Sequence, residues 1–133
     1  MIVVDASVLA PALADDGVDG DQARARLRDE ALAAPELIDL DVQSVFRRLL
    51  RVGQLPARRA DQATTDLLAL PLRRVSHRPL LTRCWSLRDN LTPYDAAYVT
   101  LAELLDAVLV TADVRLSHAP HLRCRVEVLV GAP

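Results

Sequence analysis

The sequence predicts an α/β protein, a three-layer α/β/α sandwich around a mainly parallel central sheet. Three observations carry this. The short β-type runs Ile2–Val4, Leu72–Val75, Val108–Thr111 and Val126–Val130 are mostly continuous in apolar residues, as strands buried on both faces tend to be. Segments with apolar residues at helical spacing lie between them. Strands that alternate with helices call for parallel pairing with helices packed on the sheet. The chain has 133 residues, 51% hydrophobic and 26% charged, which fits one domain over 1–133 with a substantial core.

In chain order, Ile2–Val4 is the first strand and 6–14 a helix. "ADDGVDGD" at 14–21 reads as a solvated loop, with two glycines among acids. Residues 21–32 read as a charged helix, followed by a brief strand at Leu32–Ala34. In 36–52, Ile38, Val42, Val45, Phe46 and Leu49 recur at helical spacing. Pro56 opens a helix over 56–70, Leu72–Val75 follows, and 79–90 is helical. Thr92-Pro93 opens a helix over 93–106, with Thr as N-cap, Pro at the first helical position, and Tyr94, Tyr98, Leu101 and Leu105 as its apolar stripe. The last two strands are Val108–Thr111 and Val126–Val130.

Composition narrows the function. Net charge is −2 and aromatic residues make up 3%, so neither a basic surface in bulk nor a base-stacking platform is offered to nucleic acid. All sixteen basic residues are Arg, which excludes mechanisms that need a catalytic or phosphate-binding lysine. Cys84 and Cys124 form no CxxC and read as reduced thiols, as expected in the cytoplasm. The N-terminus has no positive region and Asp5 interrupts its apolar run, unlike a signal peptide. No apolar run approaches the ~20 residues a membrane helix needs. "HAPH" at 118–121 has no cysteine partner for zinc and reads as a surface loop. Cys84 and Trp85 read as core or interface packing.

Acids at strand ends raise the functional question. Asp5 follows the first strand directly, and Asp113 follows Val108–Thr111 by two residues. In open parallel sheets, ligands bind outside the carboxyl ends of the strands. Each Asp also fits an N-cap, and Asp95 fits the third position of a capping box opened by Thr92. Asp39 and Asp41 flank the apolar stripe of 36–52 on opposite sides, and periodicity does not choose between them.

"MIVVDASVLAPAL", "APELIDLDVQSVFRRL" and "LTPYDAAYVTLAELLDAVLVTADVRL" together resemble PIN-domain ribonucleases, and more narrowly the VapC toxins of bacterial toxin–antitoxin pairs. The likeness runs from Ile2 to about Val130. It implies four catalytic acids, Asp5, Asp41, Asp95 and Asp113, and selects Asp41 over Asp39. The helical acid of the family is typically Glu, so Asp41 is one methylene short. Ala6 stands where a hydroxyl residue is common, and Ser7 keeps a hydroxyl nearby for Asp5 or for a metal-bound water.

Four carboxylates in one crevice repel: two unit charges 4 Å apart interact by about 4 kcal/mol at an effective dielectric of 20. Protons or a divalent cation must relieve this, and all-oxygen ligands suit Mg²⁺ or Mn²⁺. The expected activity is metal-dependent hydrolysis of RNA, with Asp5, Asp95 and Asp113 as direct or water-mediated ligands and Asp41 orienting a water or completing the shell. Arg47, Arg48, Arg51 and Arg115 are candidate phosphate contacts, each also readable as a solvated surface residue. Thr111 is readable as a hydrogen-bond partner of a ligand carboxylate or of a phosphate, or as a locally satisfied strand residue. The resemblance implies a homodimer and a cognate antitoxin as partners. Two rivals stand beside this reading. One is a PIN-like interaction module with a decayed metal site; the other is a Mg²⁺-dependent phosphatase or phosphoryl-transfer domain, disfavoured by the absence of lysine.

Overall fold

The computed structural model describes residues 1–130, so the expected span of 1–133 ends three residues outside the described ones. Five strands form the sheet: β1 (Ile2–Val4), β2 (Leu32–Pro35), β3 (Leu72–Val75), β4 (Val108–Thr111) and β5 (Val126–Val128). Their order is β3-β2-β1-β4-β5, and every pairing is parallel. The chain builds outward from β1 on one side, then crosses back to place β4 on the other. The strand order therefore reverses between β1 and β4, which is where a crevice opens at the carboxyl ends of an open sheet.

Among the described residues seven α-helices accompany the sheet: α1 (Ala6–Ala14), α2 (Val18–Leu27), α3 (Ile38–Arg51), α4 (Ala57–Ala69), α5 (Leu81–Ser86), α6 (Pro93–Leu105) and α7 (Val114–His118). They fall into groups: α1 packs on α2, α3 and α4, while α6 packs on α5 and on β1, β2 and β4. Val3, Val4, Ala33, Ala34, Leu109 and Val110 are fully buried in the central strands. Ala96, Ala97 and Ala102, small and buried, bring α6 close to the sheet.

Several boundaries differ from expectation. The charged helix runs over Val18–Leu27 rather than 21–32, because Asp29 takes up a left-handed φ of 61° and the chain turns into β2. Over 79–90, a 3-10 turn at Arg78–Leu80 leads into a short α5 that stops at Leu87. β5 ends at Val128, two residues early. After Asp113 the chain forms a short helix, α7 (Val114–His118). Tyr94, assigned to the apolar stripe of α6, is exposed. Trp85, expected to pack, is 67% exposed and lies beneath the Arg88 guanidinium, 4.9 Å from the ring centre. Its neighbour Cys84 is buried, and both cysteines are free thiols.

Candidate active site

Each of the four acids stands at the start of a helix. Asp5 caps α1, its side chain accepting from Ser7 N, and Asp113 caps α7 in the same way from Arg115 N. Asp95 lies in the first turn of α6 and Asp41 in the first turn of α3. The cap reading and the site reading thus hold together, since amide groups at a helix start favour the negative charge a crevice would otherwise reject.

Asp5 is the best anchored. Because β1 and β4 are neighbours, with Val4 in register with Val110, Asp5 emerges beside Thr111. Ser7 Oγ donates to Asp5 Oδ1 at 2.5 Å, and Thr111 Oγ1 donates to Asp5 Oδ2 at 2.5 Å. Ser7 N adds a bond to Oδ1 at 3.1 Å. A carboxylate has about four lone-pair sites, so one stays open, on Oδ2. The hydroxyls are themselves held: Ser7 Oγ accepts from Ala112 N at 2.8 Å, and Thr111 Oγ1 accepts from Asp113 N at 3.0 Å. Thr111 is fully buried with its hydroxyl on Asp5, so its reading as a carboxylate's hydrogen-bond partner matches its geometry.

The two acids of α3 separate. Asp39 receives Arg74 Nε at 2.8 Å and Arg74 Nη2 at 2.9 Å, an ion pair with β3. Asp41 instead receives the Tyr98 hydroxyl at 2.8 Å. Tyr98 was assigned only to an apolar stripe. Its place three residues after Asp95 was visible in the sequence, but its partner lies 57 residues away.

Charge couples the cluster. Burial pushes the Asp5 carboxyl above its ordinary value; the Ser7 and Thr111 hydrogen bonds oppose this, and the charge of Asp95 adds to it. Burial likewise raises Asp95, followed by the charge of Asp113, with Asp41 contributing in the same direction. Asp113 goes the other way, because Arg115 holds it in the charged form. Arg115 Nη2 donates to Asp113 Oδ2 at 2.6 Å, and Nε donates to Oδ1 at 3.0 Å. Arg115, a candidate phosphate contact, therefore sits on an acid. Arg47, Arg48 and Arg51 are exposed and make no ion pair among the described residues. Arg48, seven residues after Asp41, returns to the same side of α3 about 10 Å along its axis, whereas Arg47 is turned about 120° away.

No three His, Cys, Asp or Glu side chains among the described residues come together as a ready-made metal cage. The donors that are present suit Mg²⁺ or Mn²⁺ in another manner. Mg²⁺ keeps several waters and binds through one or two carboxylates. Asp5 has one open lone pair, and Asp95 is a half-buried acid destabilised by its neighbours' charge.

A PIN domain family model matches residues 2–122. The chain belongs to the PIN-domain family. It is 41% identical over 129 residues to Ribonuclease VapC9 of Mycobacterium tuberculosis, covering 97% of this chain and 98% of that one. It is 38% identical over 128 residues to Ribonuclease VapC1 of the same species, covering 96% of each. Among solved structures, M. tuberculosis VapC20, a sarcin-ricin loop cleaving toxin, matches with a TM-score of 0.69 at 16% identity, covering 94% of this chain and 99% of that chain. VapBC2 from Rickettsia felis, bound to a promoter DNA fragment, matches with a TM-score of 0.66 at 14% identity, covering 96% and 98%. These two likenesses establish the PIN fold, in agreement with the predicted three-layer α/β/α class. No helix among the described residues is long and apolar enough to cross a membrane.

Proposed function

We propose that this PIN-domain protein is a metal-dependent endoribonuclease, the toxin of a VapBC-type toxin–antitoxin module, acting as a single domain over 1–133. One observation carries the reading. Asp5 and Asp95, at the carboxyl end of a parallel sheet's switch point, are each destabilised as carboxylates by burial and by a neighbouring acid. The identity to VapC ribonucleases supports the same conclusion.

In the proposed reaction an oxygen of water bonds to phosphorus, one P–O ester bond breaks, and the leaving oxygen takes up a proton. Asp5, Asp95 and Asp113 would hold Mg²⁺ or Mn²⁺, directly or through the waters that the ion keeps. When bound, the ion supplies charge stabilisation at the scissile phosphate and a water of lowered pKa. Ser7 and Thr111 keep Asp5 charged and oriented. Asp41 accepts a proton from, or orients, the attacking water. Arg47, Arg48, Arg51 and Arg115 offer cations to the flanking phosphates.

The test uses the purified chain on RNA with Mg²⁺ or Mn²⁺, with chelator, and with the Asp5→Asn and Asp95→Asn variants. Cleavage that needs the ion and both acids is expected. Full activity in either variant, or cleavage undiminished by chelator, overturns the assignment.

The partners proposed with this function are an antitoxin and a second copy of the chain, in the cytoplasm with both thiols reduced. A solved relative is a toxin–antitoxin complex from Klebsiella pneumoniae, which supports the first. Leu81 and Trp85, one turn apart on α5 and 52% and 67% exposed, favour an apolar contact between copies. Light scattering on the purified chain reads out the dimer directly.

A further inference from the structure

We propose that Tyr98 is a positioning residue that clamps the Asp41 carboxylate through Oδ2, so that Oδ1, free of protein donors, is held in one direction for the reaction. The inference rests on the nuclease reading above and adds a residue to it.

Tyr98 is 3% exposed, and its hydroxyl donates to Asp41 Oδ2 at 2.8 Å. The bond joins α3, of one helical group, to α6, of the other. Asp41 Oδ1 accepts no hydrogen bond among the described residues. Asp41 itself is half-buried, with no cap or ion pair to fix it. An Asp side chain in that position has several staggered conformers open to it. A single bond to a rigid buried ring selects one of them and fixes the direction in which Oδ1 points.

The placement of Tyr98 is specific to this task. It lies three residues beyond Asp95 on α6, so the two share a helix face. The charges of Asp41, Asp5 and Asp95 all oppose ionisation of its phenol, as does burial. The hydroxyl therefore stays protonated and acts as a donor throughout the working pH range. Supporting hydrogen bonds of this kind are worth about 10–100-fold in activity or metal affinity when removed.

The experiment is a double-mutant cycle on the full chain: wild type, Tyr98→Phe, Asp41→Ala and the double variant. RNA cleavage is measured as kcat and KM, and Mn²⁺ binding by calorimetric titration, each at a temperature well below the lowest melting midpoint. Phe keeps the ring, so packing on α6 is retained. The clamp predicts that Tyr98→Phe lowers kcat by at least about tenfold and leaves both the KM for RNA and Mn²⁺ binding in place. It also predicts that Tyr98→Phe costs nothing further once Asp41 is Ala, because the residues act as one unit. Unchanged kcat in Tyr98→Phe, or losses that multiply in the double variant, overturns the clamp alone. A wild type that neither cleaves RNA nor binds Mn²⁺ overturns the nuclease reading, and the clamp with it.

Discussion

Thr111 Oγ1 donates to Asp5 Oδ2 at 2.5 Å although the two residues are 106 positions apart. The bond exists because β4 pairs with β1 and brings the end of one strand beside the end of the other. Thr111→Val removes this donor with little change of shape. Asp5 then loses one of the influences that lower its carboxyl, so it holds its proton to higher pH. The expected result is a rate lower by about 10–100-fold and an acid limb of the pH–rate profile displaced upward. A profile that stays in place would show that the hydroxyl serves only strand packing.

The metal-free protein should be weakened by its own site as pH rises. Asp95 is raised above its ordinary value of 3.8, so between that value and its folded value the folded chain binds more protons than the unfolded chain. Stability therefore falls with pH across this window and does not recover above it. Asp95→Asn abolishes the effect. Without metal, the variant should melt above wild type at pH 7 and lose that advantage below about 3.8. Saturating Mn²⁺ should reverse the order. A ligand at a hundred times its Kd adds about 2.7 kcal/mol to wild type, and the variant should gain much less. Thermal melts at several pH values, with and without Mn²⁺, measure both.

In the proposed site Arg115 would compete with the metal ion for Asp113. Its guanidinium meets both carboxylate oxygens, although its own side chain is 80% exposed. Arg115→Ala removes one positive charge from the mouth of the site. Mn²⁺ should bind more tightly to the variant, an effect that shrinks as salt is added. RNA affinity should fall, since a cation that could meet phosphate has gone. Calorimetric titration at two salt concentrations checks the first outcome, and RNA binding to an Asp5→Asn background checks the second.

How far the sequence disclosed these arrangements depends on the range of each interaction. The strands β1 and β4 and the start of α6 were legible, because continuous apolar runs and the Thr92-Pro93 cap are local signals. Asp5, Asp95 and Asp113 were legible for the same reason, as acids at strand ends and helix starts. Asp39 and Asp41 could not be told apart by periodicity. Their difference lies in partners on β3 and α6, Arg74 and Tyr98, which only the tertiary fold supplies. For Trp85 the sequence left core and interface open, because hydrophobicity alone does not reveal that a helix will end after six residues and leave the ring outside the core. The start of α2 at Val18 was hidden by Gly17 and the surrounding acids, which read as a loop.

Gly20 tests that last point, because helix propensity and packing make opposite predictions there. Within a helix, Ala is better than Gly by about 1 kcal/mol, so Gly20→Ala looks stabilising from sequence. In the fold, a Cβ at Gly20 would lie 1.7 Å from the carbonyl oxygen of Asp15 and 2.9 Å from Arg24 Nη1. The first neighbour is backbone and has no rotamer by which to withdraw. The second is the guanidinium that donates to Ala12 O and Asp15 O, tying α2 to the end of α1. Relieving the clash requires α2 to shift away from α1 and stretches those bonds. Overpacking of this kind costs about 1–3 kcal/mol, which outweighs the propensity gain. The variant should therefore unfold at lower denaturant concentration with an unchanged slope, and chemical denaturation of the metal-free chain measures both. A midpoint that rises instead would mean that α1 and α2 do not approach as closely as the Asp15 carbonyl indicates.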